Sequence, residues 1–324
     1  MRLSVVVPVY NEEAVVLSFH ARLAGVLDGV PCAWEICYVD DGSTDQTAEM
    51  IRHIMNADAR VRLLQLSRNF GHQVALTAGM DHADGDAVIT MDGDGQHPPE
   101  LIPELLALYQ KGYDLVLTQR RADKDAGLIK RLTSRGFYWL INRLSQTYIL
   151  PDSADFRLMS REAVLGLRQV REQHRFLRGI VTWMGFSWAV VHFQAQPRLA
   201  GCSKYSSRKM LELAGNAVFS FSTVPLRLAI WMGFILLFFS ATEVAWVLYL
   251  ISVGRQAELV PGWTSLMLAL LGIGGVQLVL LGLVGQYVGL IFQETKKRPL
   301  YFLKPQPRRG AAAETVEIEE NLRV

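Results

Sequence analysis

Cysteine is scarce in this chain of 324 residues, with Cys32, Cys37 and Cys202 the only three. Their odd number and wide spacing exclude a disulfide framework and a cysteine metal cluster, and fit a reduced, cytosol-facing domain. Charge of one sign is also lacking. Thirty-three Lys and Arg stand against 31 Asp and Glu, so the chain is no nucleic-acid-binding polycation. No G-x-G-x-x-G follows the first apolar run and no P-loop lysine is present, which removes the main support for dinucleotide-dehydrogenase and nucleotide-triphosphatase readings. The N-terminal apolar run stops at Asn11, Glu12 and Glu13. It is shorter than the ~7–15 apolar residues of a signal peptide and reads as a buried strand.

What is abundant is apolar sequence, 50% of the chain with a mean hydropathy of +0.18, and it is concentrated near the C-terminus. Ile230–Val253 carries one charge, Glu243, and Trp263–Phe292 carries none. Each is long enough to cross a bilayer as a helix, and Trp231, Tyr249, Trp263 and Tyr287 sit near the ends, where headgroups are expected. Arg208, Lys209 and Arg227 precede the first span; Lys296, Lys297, Arg298, Lys304, Arg308 and Arg309 follow the second. The connection holds only Arg255 against Glu258. The positive-inside rule then expects a short external hairpin, with both termini and the N-terminal domain in the cytoplasm. Gly285 and Gly289 form a small-xxx-small pair suited to helix contact and to self-association through the spans. The expected layout is a cytosolic domain over 1–205, a juxtamembrane interfacial segment over 206–228, two transmembrane helices within 229–293, and a basic segment and tail over 294–324.

In the N-terminal domain short apolar strands alternate with amphipathic helices. Strands are expected at Leu3–Val9, Glu35–Asp40, Val61–Leu66, Ala87–Asp92 and Leu115–Thr118. Helices are expected at Glu12–Leu27, Thr44–Asn56 (capped by Ser43 or Thr44), Gln73–His82 and Pro99–Gln110. This is the pattern of an α/β, Rossmann-like, mostly parallel sheet covered on both faces, whose ligands bind at the carboxyl ends of the strands. Those ends read Pro8-Val9-Tyr10-Asn11-Glu12, Asp40-Asp41-Gly42-Ser43-Thr44-Asp45 and Asp92-Gly93-Asp94-Gly95-Gln96. The Asp92 and Asp94 carboxylates, one residue apart in a Gly-flanked turn, suit a hard cation such as Mg²⁺ or Mn²⁺. An acidic turn capping the following helix has the same pattern. Its place at a strand end, beside Asp40 and Asp41 at another, favours the metal reading.

These three motifs resemble the signature set of family 2 glycosyltransferases with the GT-A fold. More narrowly, the chain is similar to the polyprenyl-phosphate glycosyltransferases, the group of dolichyl-phosphate mannose synthase and the undecaprenyl-phosphate glucosyltransferases. The similarity takes in Asp155-Phe156-Arg157, Gly201-Cys202-Ser203-Lys204-Tyr205 and both apolar spans. It departs from the group at Gln286, Leu290 and Cys202. The resemblance implies that Pro8, Tyr10, Glu12 and Asp41 hold the nucleotide, and that Asp92, Asp94 and Gln96 hold metal and diphosphate. It assigns Arg120, Lys130, Ser134, Arg198, Ser203 and Lys204 to donor or acceptor phosphate. Arg175, Arg178 and His174 are lower-ranked candidates. Asp155 falls where the group has a catalytic acid, as base or as electrostatic orienter.

Residues 128–144 read as a basic amphipathic helix, with Ile129, Leu132, Phe137, Leu140 and Leu144 on one stripe, lying at an interface or on the sheet. The implied activity is inverting transfer of a sugar, from a UDP-linked hexose, to undecaprenyl or dolichyl phosphate at the cytosolic face of a bacterial inner membrane. GDP-mannose is the alternative donor. A processive polysaccharide synthase lacks support, because Gln173-His174-Arg175-Phe176 is not the Q-x-x-R-W motif. An inactive membrane scaffold is disfavoured by the intact D-x-D.

Overall fold

The computed structural model describes residues 1–121, 150–173, 175–194, part of 231–254, and 262–305. In chain order the elements of the N-terminal unit begin with β1 (Arg2–Val9), α1 (Val16–Leu27), β2 (Ala33–Asp40), α2 (Thr47–Ala57) and β3 (Val61–Gln65). They continue with α3 (His72–His82), β4 (Ala87–Thr90), a 3-10 turn (Pro99–Leu101), α4 (Ile102–Gln110) and β5 (Leu115–Arg120). Last come β6 (Ser153–Ser160), α5 (Arg161–Gln169), α6 (Leu177–Trp183) and β7 (Trp188–Phe193). The strands form one seven-stranded sheet in the order β3-β2-β1-β4-β6-β5-β7.

Helix periodicity decides which face each helix covers. Val16, Phe19, Leu23 and Leu27 of α1 repeat at three and four residues and are buried. With Ile51 and Ile54 of α2 and Leu105 of α4 they join one apolar cluster, on one face of the sheet. Ala75, Leu76 and Ala78 of α3, Val164 and Leu167 of α5, and Ile180 of α6 join the second, on the other. The covered, mostly parallel sheet is therefore observed, with one exception that matters for the site. Strand β6 runs antiparallel to both β4 and β5. It alternates with period two, Ala154, Phe156 and Leu158 facing the first cluster and Met159 the second.

Several expected boundaries move. Helix α1 starts at Val16 rather than Glu12, and α2 starts at Thr47, with no side-chain cap at Gln46. Ser43 and Thr44 do not cap α2 because they are used elsewhere. Asn11 N–H donates to Ser43 Oγ at 3.0 Å, and Thr44 N–H to Asn11 Oδ1 at 2.9 Å, locking the loops after β1 and β2 together. Strand β4 ends at Thr90, two residues before Asp92, and β5 extends to Arg120.

Trp263–Thr295 forms one continuous helix, α7, within which Ile273–Thr295 is long and apolar enough to cross a membrane, with none of its most apolar window buried. Leu278, Val279 and Leu281 are exposed, as lipid-facing side chains are. The described residues from 231 to 252 are helical, followed by a turn at Val253 and Gly254. The connection from 255 to 261, Glu243, the 128–144 helix, the 206–228 segment and the tail from Gly310 lie outside the described residues.

Candidate active site at the carboxyl ends of the strands

All the strands but β6 end on the same side, and the loops after β1, β2, β4 and β5 carry the polar residues. Pro8, the residue before the end of β1, lies beyond the last β1–β4 pair, Val6–Thr90, so its missing N–H costs that ladder nothing. Its carbonyl lies against Gly93, where a Cβ would stand 3.0 Å from Val9 and 3.4 Å from the Pro8 oxygen. Glycine thus lets the acidic turn pack directly on the end of β1. Tyr10 and Glu12 follow, partly exposed, and Glu12 N–H donates to Thr47 Oγ1 at 2.9 Å.

Asp41, at the end of β2, is buried, and both of its oxygens are engaged. Oδ1 accepts from Phe70 N–H at 2.7 Å and Oδ2 from Gly71 N–H at 2.9 Å. Burial lifts its carboxyl above the ordinary range, against the pull of those two bonds. This carboxylate therefore holds the loop that leads into α3, a task that its motif alone does not indicate.

The centre of the site is Asp155. The β4–β6 ladder pairs Thr90 with Arg157, and its antiparallel register carried two residues on sets Asp155 opposite Asp92. Thr90 Oγ1 donates to the Asp155 carbonyl at 2.6 Å, which holds that arrangement. The carboxylate is only 3% exposed and is bonded by Arg157, by Arg178 Nη2 at 3.0 Å and by Gln73 Nε2 at 3.4 Å. Burial pushes its pKa upward, but Arg178, His72 and Arg157 outweigh that and hold it well below the usual carboxylate range. His72, the first residue of α3, places Nε2 3.3 Å from Asp92 Oδ1 and 3.5 Å from Asp155 Oδ2. Burial lowers its pKa, but Asp92 and Asp155 prevail and raise it to about 9. Gln73 Oε1 also accepts Leu177 N–H at 3.1 Å, tying α3 to the start of α6.

Asp92 has a second imidazole neighbour. His97, buried and stacked on Phe156 at 5.5 Å, accepts the Asp92 N–H on Nδ1 at 3.0 Å, and burial lowers its pKa. Asp94 Oδ1 accepts Gln96 N–H at 3.0 Å, and Gln96 Oε1 accepts from Arg120 at 3.1 Å. Among the described residues Asp92 Oδ1 is buried without a hydrogen-bond partner, and no group of three or more His, Cys, Asp or Glu is arranged for a metal. Two carboxylates, one with an oxygen that has no hydrogen bond and only the His72 ion pair, fit a hard cation that takes its remaining oxygens from ligand and water.

Of the expected residues, Asp92, Asp94, Gln96, Arg120 and Asp155 meet here, with Pro8 and Asp41 supporting the turn and loop beside them. Lys130, Ser134, Arg198, Ser203 and Lys204 lie outside the described residues, as does His174. Arg175 is buried and donates to the Val170 carbonyl at 2.5 Å. The sequence motifs do not single out His72 and Gln73. Their one signal is polar residues at the first turn of a helix that opens at the carboxyl edge of the sheet.

Residues 4–167 match the model of glycosyl transferase family 2. The chain is 39% identical over 304 residues to an uncharacterized glycosyltransferase of Synechocystis sp., covering 94% of this chain and 95% of that protein. It is 39% identical over 309 residues to the bactoprenol glucosyl transferase of Shigella phage SfV, covering 95% of this chain and 100% of the relative. Among solved structures, S. aureus TarS 1–349 in complex with UDP-GlcNAc matches with a TM-score of 0.45 at 19% identity, over 68% of this chain and 66% of that one.

Proposed function

This chain belongs to glycosyl transferase family 2, and from that premise we propose that it transfers one hexose from a UDP-sugar to a polyprenyl phosphate, with inversion, at the cytosolic face of a bacterial inner membrane. Sugar transfer to polyprenyl phosphate rests on relatives named as bactoprenol glucosyl transferases, which match over nearly their whole length, apolar C-terminal third included. The observation that carries the chemistry is the register that sets Asp155, near the start of β6, opposite Asp92 just past the end of β4, with His72 in contact with both.

In this reading Tyr10, Glu12 and the loop held by Asp41 receive the nucleotide. Asp92 and Asp94 would hold Mg²⁺ or Mn²⁺, which when bound offsets the charge of the diphosphate leaving group. Gln96 and Arg120, already bonded to each other, stand beside that turn as diphosphate ligands. The acceptor phosphate monoester has a second pKa of about 6, so it is already a strong anion at neutral pH and needs little help from a base. Asp155 fits an orienting role better than a proton-accepting one, since two guanidinium groups and His72 occupy its oxygens. Arg178, with a third of its side chain exposed, is a guanidinium held by Asp155 at the same edge of the site, the kind of group that binds phosphate. Lys130, Ser134, Arg198, Ser203 and Lys204 complete the acceptor side in the same proposal.

The exposed apolar surface of α7 supports membrane anchoring, and the basic flanks support cytoplasmic termini. Self-association through the spans belongs to the same proposal, supported by open space at Gly285 and Gly289. The test is incubation of the full chain in membranes with labelled UDP-glucose, other UDP-sugars or GDP-mannose, together with undecaprenyl phosphate. A single sugar recovered on lipid in the organic phase from a UDP-sugar supports the proposal, and lipid product from GDP-mannose alone overturns the choice of donor. A long polymer, or no lipid product from any donor, overturns it.

A further inference from the structure

The chain does not leave the catalytic unit when α7 ends. At Lys297, with φ at 47°, the backbone turns back. Glu294 Oε1 accepts Gln173 N–H at 2.7 Å, and Gln173 Nε2 donates to the Arg298 carbonyl at 2.7 Å. Tyr301 then reaches the far end of α3, where its hydroxyl donates to Asp81 Oδ2 at 3.0 Å and its ring meets His82 edge-on. Arg171 grips the same Asp81 at 2.7 and 3.0 Å.

Beyond Tyr301 the segment meets the carboxyl end of β3, an edge strand, and the two residues that follow it. Leu303 forms an antiparallel bridge with Leu66. Ser67 N–H donates to the Phe302 carbonyl at 2.9 Å, and Lys304 N–H to the Gln65 carbonyl at 2.7 Å. Phe302 and Leu303 are 57% and 40% exposed, so apolar burial is not the main purpose of this contact.

What the pairing does hold is the start of the loop that enters the site. Ser67 leads to Arg68 and Asn69, whose backbone lies so close to Gly42 that a Cβ there would stand 2.5 and 2.7 Å away. Phe70 and Gly71 follow, both held by Asp41, and then His72. The exposed stretch Ser67–Asn69 is thus pinned at its end by Asp41 and at its start by the returning chain.

We propose that residues 300–304 are a positioning strap, whose pairing with Gln65–Ser67 sets the 67–71 loop, and through it Asp41 and His72, in the geometry that receives the donor nucleotide. The strap is continuous with the apolar helix α7, so docking the catalytic unit against its anchor and completing the donor site are one event. This rests on the reading that the nucleotide binds beside Asp41 and the Asp92 turn.

The test uses the full chain with UDP as the binding probe, and UDP-glucose with undecaprenyl phosphate for turnover. Lys304→Pro removes the N–H that Gln65 accepts, and Tyr301→Phe removes the bond to Asp81; Phe302→Ala keeps the backbone pairing and serves as control. In Lys304→Pro the Ser67 amide is expected to lose its protection from hydrogen exchange. Its UDP dissociation constant and KM for UDP-glucose should rise about fivefold, equivalent to ~1 kcal/mol, with KM for undecaprenyl phosphate unchanged. Tyr301→Phe should move the same quantities in the same direction, and Phe302→Ala should leave them as in wild type. A wild type that binds neither UDP nor GDP overturns the donor reading. A wild type that binds UDP, with strap variants that bind it equally well or lose kcat alone, overturns the strap and leaves that reading standing.

Discussion

His72 Nε2 stands 3.5 Å from Asp155 Oδ2, joining the first residue of α3 to a carboxylate near the start of β6. Arg178 Nη2 meets the same oxygen at 3.0 Å, and Arg157 bonds the other. The His72 contact also places one cationic imidazole between Asp155 and Asp92, 3.3 Å from the latter. A helix N-terminus adds its own partial positive charge there, which suits a site for phosphates.

The charge of that imidazole should be visible in stability. The His72 pKa is raised to about 9, above its ordinary value, so its contribution is complete below about 6.5 and is lost as pH rises through about 9. In chelator, the melting temperature of wild type is expected to fall between pH 7 and pH 9.5, by an increment that His72→Gln lacks. Equal slopes in the two proteins would refute the assignment.

Replacing Asp155 by Asn should leave Arg157 buried without its anion. Breaking a buried pair from one side costs about 3–5 kcal/mol, so Asp155→Asn is expected to unfold much more readily in urea. The wild-type carboxyl, held well below its ordinary range, stays ionised throughout the neutral region. Its stabilisation is therefore present above about pH 4 and lost only as pH falls further. A kcat that titrates between pH 5 and pH 8 and loses that titration in Asp155→Asn would instead assign Asp155 as a base.

Asp94 is partly exposed, and its Oδ1 accepts Gln96 N–H at 3.0 Å within its own turn. Asp94→Asn is expected to keep its melting temperature while transfer falls about 100-fold or more, the scale of losing a charge-stabilising group. Addition of EDTA to wild type should produce a comparable loss, restored by excess Mg²⁺ or Mn²⁺. Wild-type turnover in Asp94→Asn would remove the metal from the mechanism.

Gly42 has φ at 70° and no room for a Cβ, the Arg68 carbonyl carbon lying 2.5 Å from where it would be. Gly42→Ala combines backbone strain with a clash against main chain, and is expected to cost about 2 kcal/mol or more. Because the clash moves the 67–71 loop, KM for the nucleotide sugar should rise as well. Denaturant unfolding and steady-state kinetics measure the two effects separately.

Much of this molecule is legible in its sequence. Alternation of short apolar strands with helices of period 3.6 identifies the sheet and its two covers, because both periodicities are local. The motifs ending β1, β2 and β4 are legible for the same reason, since each is a contiguous run whose place at a strand end follows from the run before it. Strand β6 is not. Asp155 and Arg157 interrupt its apolar pattern, and only their pairing with each other and with Arg178 and His72 makes that stretch buriable. The start of α2 is hidden as well, because Ser43 and Thr44 look like caps until Asn11 is brought against them.

The fold class, the acidic turn and the apolar C-terminal third are written in the order of residues, because each is a property of neighbours and their spacing. Three features come only from folding. Strand β6 runs antiparallel and so sets Asp155 against Asp92, His72 lies between those two carboxylates, and the chain after α7 returns to pair with β3. Such contacts join segments far apart in the chain through strand register and hydrogen-bond satisfaction, which are settled by packing of the whole sheet rather than by any local pattern.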